Sequence, residues 1–360
     1  MAIVHNSDGD YAAGDSAATV AAEIEVFGGS KAMSIASERE AELADPIAAV
    51  IPMVLRHEEV VMHVPVEVAE RARQAALASG ADIIVSVGGG STTGLAKAVA
   101  LTTGLPILAV PTTYAGSEAT NVWGLTEGET KSTGVDTKVL PASIVYDANL
   151  LRSLPGELTV ASGLNAMAHC VDAMWGPRVD PIDQALAAEG IRALAAGLPA
   201  VAADPSGIDG IEQTLYGAYL AAVAFASAGS GIHHKICHVL GGMFNLPHAQ
   251  THATVLPHVL AFNAPLAPRA EARMAAAFHA PTALEGLQAL RAQLDAPTAL
   301  AEYGLTATGI TDAVEAILPI VPGNNPHPVT AENLTALLHA ALIGADPATV
   351  ADKPLEEATR

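Results

Sequence analysis

Between residues 65 and 147 the spacing of hydrophobic positions switches repeatedly between two periods. PVEVAERARQAALA, at 65–78, puts Val66, Val68, Ala69 and Ala76 at helical spacing behind Pro65, a residue suited to a helix start. Residues 83–87 are a continuous apolar run of strand length, the pattern of a strand buried on both faces. Gly88, Gly89 and Gly90 then turn the chain, and Ser91 begins a helix that runs to about Leu101. PILAVP (106–111) and ASIVYD (142–147) repeat the buried-strand pattern. Strands alternating with helices predict a parallel α/β sheet.

From about Leu154 the texture changes. Ala- and Leu-rich segments follow one another at 157–174, 180–203, 208–228, 265–279, 308–318 and 330–343, with no strand pattern between them. This predicts two domains, an α/β domain over 1–155 and an all-helical domain over 156–360. The first twenty residues are polar and rich in small side chains, without the basic and apolar regions of a signal peptide, and predict a loose arm. The long apolar stretches are interrupted by Gly, Pro or His, which predicts that none spans a membrane.

Composition narrows the partners. Hydrophobic residues are 51% of the chain but aromatics only 4%, so the core is built from Ala, Val, Leu and Ile. The formal charge of −21 argues against nucleic acid and anionic membranes as partners. Cys170 and Cys237 form no CxxC or zinc pattern, which fits a reduced, cytoplasmic setting without disulfides.

Strand, GGGS, helix is a phosphate-binding geometry: glycines let a ligand approach the backbone, and the free N–H groups of the helix start face an anion. It is neither GxGxxG nor a P-loop, because Lys97 lies more than a turn along the helix. A GGG turn alone serves equally well as a tight strand–helix connection. The next strand ends in PTTYAGSEAT, a second polar loop at a strand's C-terminal end, where open α/β sheets bind ligands. Together they predict a dinucleotide site with Gly88, Gly89, Gly90, Ser91, Thr112, Thr113 and Ser117 as contacts. The first nucleotide-binding strand is expected within 32–40, ending at Ser37, a further cofactor contact, and not at an acidic residue, which leaves NAD and NADP both open.

Six of the 13 histidines fall in IHHKICHVLGGMFNLPHAQTHATVLPH. His234 and His238 are four apart on a predicted helix that ends at Asn245-Leu246-Pro247, and His248 opens another. So many imidazoles in an apolar setting must be partnered. His234, His238 and His248 are read as functional; His57, His63, His279 and His339 as structural or surface residues; His233, His252 and His258 are left open. In GLNAMAHCVDAMW, Asn165 and His169 share one helix face, a common metal-ligand spacing that carries an asparagine where an aspartate would bind better.

Four motifs in order, GGGSTTGLAKAVAL, PTTYAGSE, GLNAMAHCVDA and HHKICHVLGGMFNLPHA, resemble the iron-containing (group III) alcohol dehydrogenase family over about Val26 to Leu342. The resemblance implies a Rossmann-like nucleotide domain followed by a helical domain, the dehydroquinate synthase-like architecture, and a homodimer. By position, the family's metal-binding aspartate and three histidines fall on Asn165, His169, His234 and His248. Asn165 in place of aspartate, Gly94 where many members have aspartate, and the phrases HVPVEVAERAR and TEGETKSTG resemble the maleylacetate reductase branch. That branch implies NADH- or NADPH-dependent reduction of a small dicarboxylate in aromatic catabolism, without a required metal.

An activated alkene suits such a pocket, since hydride addition places charge on an enolate oxygen that hydrogen-bond donors can hold. His238 and His248 are expected to hold the enolate and deliver the proton, in an order left open. His169, His234 and Asn165 are expected to bind or orient substrate. His327 in NPHPVT, where the branch has arginine, and Lys235 and Lys131 are candidates for the substrate carboxylates. A metal-dependent alcohol dehydrogenase, with any metal on His169, His234 and His248, is the second reading, and a homologue repurposed for non-redox chemistry is the third.

Overall fold

The apolar runs form one parallel sheet. The computed structural model describes residues 2–4, 15–128 and 130–351. Its strands are β1 (Ala2–Val4), β2 (Ala32–Ile35), β3 (Met53–His57), β4 (Ile83–Gly88), β5 (Ile107–Pro111), the pair β6 (Val122–Glu127) and β7 (Thr130–Val135), and β8 (Ser143–Val145). Six of them form a sheet in the order β1-β8-β5-β4-β2-β3, every pairing parallel, while β6 and β7 make a separate antiparallel hairpin. β2, β4, β5 and β8 are buried along their whole length, as continuous apolar runs require.

Helices α1 (Asp15–Val26), α2 (Ala41–Ala48), α3 (Val66–Ser79) and α4 (Gly90–Thr103) connect the strands. From Gly156 onward the regular elements among the described residues are helical: α5 (Gly156–Ala173), α6 (Pro181–Ala203), α7 (Ile208–Ala228), α8 (Ile232–Phe244), α9 (His248–Asn263), α10 (Pro268–Phe278), α11 (Ala283–Gln293), α12 (Gly309–Ile317), α13 (Ala331–Ile343) and α14 (Ala348–Ala351). α5, α6 and α7 pack around the largest core cluster, in which small alanines let helices approach closely. Gly163 faces Leu198 at a distance no added Cβ would tolerate, 2.2–3.1 Å to its side-chain carbons in place of contact.

Four expectations change. The N-terminal arm begins with an edge strand, Ala2 to Val4, in register with Ser143 to Val145; residues 5–14 lie outside the described residues. The 32–40 segment holds a strand of only four residues, and its charged part is a 3₁₀ turn, Glu38–Glu40, capped by Ser37. The hairpin β6–β7 and helix α11 were not anticipated. α6, at 23 residues, is long and apolar enough by length and composition to cross a membrane, because neither Pro199 nor its glycines interrupt it; it packs against α5, α7 and α10 as a core helix.

Candidate active site

The glycine-rich turn lies where β4 meets α4. Gly88 has φ +154°, and a Cβ there would come within 2.5 Å of Glu40 Oε1, so only glycine fits. Gly89 caps α4, and a Cβ on it would stand 3.0 Å from Thr113 Cγ2; one on Gly90 would stand 3.3 Å from Ala115 Cβ. The turn with Ser91 therefore lies directly against the Thr112–Thr113 loop, and Thr112 N donates to Gly88 O at 3.2 Å. The glycine backbone and the helix start suit the pyrophosphate of a nicotinamide dinucleotide.

The same loop reaches the histidines. Asn165 Nδ2 donates to Ala115 O at 3.4 Å, and a Cβ on Gly116 would lie 3.4 Å from His169 Nδ1. One amide N–H of Asn165 thus holds the loop, and its Oδ1 is buried without a hydrogen-bond partner among the described atoms. The loop is held from below by Lys97. Its ammonium is fully buried and donates to Ser117 O (2.6 Å), Thr120 O (2.8 Å), Thr120 Oγ1 (3.0 Å) and Val122 O (2.9 Å). Burial pushes its pKa down to about 7, with Glu118 pulling it back up.

α5, α8 and α9 bring the imidazoles together. His169 stacks on Phe225 and His234 with ring centroids 4.8 and 4.9 Å apart. His234 lies 5.9 Å from His238, and His238 lies 6.3 Å from His248 in a stacked arrangement. The hub is His252, left open in the sequence reading. Its ring is 4.8 Å from His234, 4.4 Å from His248 and 6.4 Å from His238, and its Nδ1 is 2.9 Å from His233 Nε2. Its signal was helical spacing: His252 is one turn on from His248.

Two further residues escaped the sequence reading. Asp172, one turn after His169 on α5, is fully buried. Its Oδ2 accepts from Gly231 N (3.0 Å) and His234 N (3.1 Å) at the start of α8, and from His234 Nδ1 (2.7 Å). One carboxylate therefore caps α8 and orients the His234 ring. Burial raises the Asp172 pKa, while His233 and the backbone N–H groups at the start of α8 pull it down. His63, read as structural, is half-buried and stands 6.4 Å from His248, with Nε2 3.2 Å from Leu246 O. It is delivered by a loop in which His63 (φ +64°) and Val64 (φ +49°) are both left-handed, a strained conformation for a β-branched valine. Val64 also crowds Gly94: a Cβ there would be 3.0 Å from Val64 Cγ2, so a side chain at 94 requires Val64 to give way by a few tenths of an ångström.

His327 does not join the cluster. It packs on Phe262, 4.1 Å between rings, at the far end of α9 from His248, a helix whose 16 residues span about 24 Å. Asn263 and Asn325 exchange amide hydrogen bonds of 3.0 and 2.8 Å that fix NPHPVT there. The candidate role of His327 toward a substrate carboxylate is therefore withdrawn. Lys235 is half-buried beside His234 on α8; the side chain of Lys131 lies outside the described residues.

The four positions that the resemblance assigns to a metal offer three imidazoles and an amide. Asp172, the carboxylate touching the cluster, is turned to backbone N–H groups and to His234 Nδ1. This donor set does not fit a site that neutralises a divalent ion with a carboxylate, because the aspartate position is occupied by an uncharged side chain. A second group, His233, Cys237 and His252, has ligand atoms within 4.8 Å of one another. There the two ring nitrogens already share a hydrogen bond.

Burial holds His169, His233 and His258 down to a pKa of about 4, and His252 well below its ordinary value. These rings are neutral at pH 7, so they donate and accept hydrogen bonds without adding charge. The unfolded chain takes up protons at these histidines, near pH 6.5, that the folded chain refuses until about pH 4. Stability is therefore full above about pH 6.5 and falls as the pH drops from there. Urea unfolding at pH 7.0, 6.0 and 5.0 is expected to show uptake of about three to four protons on unfolding near pH 5. A pH-independent midpoint across this range would contradict neutral burial.

Sequence comparison agrees with this geometry. Residues 10–148 match the family described as iron-containing alcohol dehydrogenase, and residues 159–342 match its C-terminal part. A maleylacetate reductase from Sphingobium indicum is 43% identical over 323 residues, 89% of this chain and 92% of that protein. The crystal structure of an iron-containing alcohol dehydrogenase from Corynebacterium glutamicum superposes with a TM-score of 0.91 at 60% identity, covering 97% of this chain and 99% of that one. That of maleylacetate reductase from a Rhizobium strain gives 0.86 at 39% identity, covering 95% and 96%. The chain is an oxidoreductase of the iron-containing alcohol dehydrogenase family.

Proposed function

We propose that this oxidoreductase reduces the carbon–carbon double bond of maleylacetate to give 3-oxoadipate, with NADH or NADPH as reductant and without a required metal. The observation that carries the reading is Asn165: an uncharged amide, bonded to Ala115 O, stands at the aspartate position of a cluster of imidazoles. The relatives named maleylacetate reductases support the substrate class.

When bound, the reduced nicotinamide supplies the hydride. Gly88, Gly89, Gly90 and Ser91 would hold its pyrophosphate, with Thr112, Thr113 and Ser117 on the adjoining loop. His238 and His248, half-buried and 6.3 Å apart, carry the chemistry of the second half: one imidazole N–H holds the enolate oxygen and the other delivers a proton to the adjacent carbon. His169, stacked on Phe225, and His234, oriented by Asp172, fix the substrate against them. His252, neutral and hydrogen-bonded to His233, sets the positions of His234 and His248 through ring contact.

A metal-dependent alcohol dehydrogenase is the second reading, favoured by the name of the Corynebacterium relative. Oxidation of NADH by maleylacetate, followed at 340 nm with and without a chelator, separates the two. The wild type is expected to keep its rate in chelator, and Asn165→Asp is expected to co-purify with a divalent metal that the wild type does not retain. Stoichiometric iron or zinc in the wild type, with activity lost on chelation, would overturn the proposal.

A further inference from the structure

Lys97 takes no part in the chemistry, yet its charge is enclosed beneath the loop that joins the nucleotide site to the histidines. It lies on α4 two turns, or about 10 Å, beyond the helix start at Gly90. Its ammonium meets four oxygens, Ser117 O, Thr120 O, Thr120 Oγ1 and Val122 O, at 2.6–3.0 Å. An ammonium has three N–H groups, so the four oxygens cannot each receive one. All four are uncharged, and all come from the short stretch 117–122. The carboxyl in that stretch, Glu118, is buried and accepts from Tyr146 Oη at 2.9 Å. Uncharged oxygens, mostly carbonyls, around one positive charge are the coordination of a monovalent cation. Most of these distances are longer than the about 2.3–2.6 Å that Ca²⁺ takes.

We infer that Lys97 is a positioning residue whose ammonium fills a monovalent-cation site under the nucleotide loop, a site that potassium or ammonium ion takes when the side chain is removed. The effect on nucleotide rests on the nicotinamide reading of that loop. A buried ammonium is costly unless it is compensated. Here the compensation comes chiefly from the dipoles of one loop, so the charge fixes the shape of that loop. The same loop meets both halves of the site. Thr112 N donates to Gly88 O, and Thr113 packs against Gly89. Ala115 O accepts from Asn165, and Gly116, at φ +75°, faces His169. Holding 117–122 from below therefore sets Thr112, Thr113 and Ser117 toward the nucleotide while it sets Ala115 and Gly116 against the histidines. An apolar side chain of similar length would fill the space without supplying the charge.

The test is titration of the full-length Lys97→Ala protein with NADH and with NADPH, read by nucleotide fluorescence at one ionic strength in potassium, ammonium, lithium or tetramethylammonium chloride. In lithium or tetramethylammonium the variant is expected to bind nucleotide about tenfold more weakly than the wild type, because the loop is less often in its binding shape. Potassium and ammonium are expected to restore most of that loss and to raise the melting temperature of the variant, as an ion that binds only the folded chain must. The wild type is expected to bind equally in all four salts. Lys97→Met, with its space filled, is expected to lose the same affinity and to ignore the salt. Wild-type affinity of Lys97→Ala in lithium, a loss equal in all four salts, or failure of Lys97→Ala to fold in any of them overturns the cation site. Wild-type affinity in Lys97→Met shows that the charge is not needed and overturns it equally. Failure of the wild type to bind either nucleotide at millimolar concentration overturns the nicotinamide reading, while the melting of Lys97→Ala in potassium against lithium still decides the cation site.

Discussion

His248→Ala is expected to lower kcat on maleylacetate by about 10²–10⁴-fold, and His238→Ala by a similar factor. Both rings are half-buried on the cluster's open side, while His169, His233, His234 and His252 are buried behind them. A group that acts mainly on the enolate or on the proton in flight is felt in kcat more than in KM. Stopped-flow oxidation of bound NADH separates the two roles. Loss of the proton donor leaves hydride transfer fast but protonation slow, giving a burst of NADH oxidation followed by slow turnover, whereas loss of the oxyanion partner slows hydride transfer itself. Both variants should melt within a few degrees of the wild type, because each removes a ring that is not fully enclosed. Near-normal turnover in both would remove these histidines from the mechanism.

The second large effect concerns Asp172. Its carboxylate is enclosed, accepts three N–H groups and carries the N-terminus of α8. Asp172→Ala leaves those donors buried and unpaired, a loss of about 3–5 kcal/mol. That is a drop in melting temperature on the order of 10 °C. Asp172→Asn keeps the volume and an acceptor oxygen for the helix N-terminus, but its amide N–H₂ then faces His234 Nδ1. The ring is pushed into the other tautomer, and kcat is expected to fall about 10–100-fold with little change in melting. A folded Asp172→Asn enzyme with full activity would show that the orientation of His234 is immaterial.

The parts legible in the sequence are those whose causes are local. A buried parallel strand needs a continuous apolar run, so β4 and β5 could be read within a residue or so of their ends. A strand followed by three glycines and a helix announces an anion-binding turn. His248 is visible as the first residue after a Pro-ended break. What stayed hidden depends on contacts across long stretches of chain. His63 looks like a surface residue until its loop is seen folded against Leu246, 183 positions away. Glu40 reads as one of several charges in SEREAEL, and only the pairing of β2 with β4 shows that its carboxylate closes on Gly89, 49 positions on. Asp172 is in plain view three residues after His169, but nothing local shows that it caps a helix 59 residues downstream. The strand expected through Ser37 was too long because Ser37 and Glu40 bond to each other and close a capped turn two residues after Ile35.

The pocket also has an evolutionary consequence. His169, His234 and His248 are still assembled, and Asp172 still orients His234, although residue 165 offers only an amide. Asparagine and aspartate codons differ in their first base alone, so a gene for this protein stands a single nucleotide change from restoring the fourth ligand. On the proposed reading, that one change is the shortest route between a hydrogen-bonding pocket and a Lewis-acid one, with the histidines left in place.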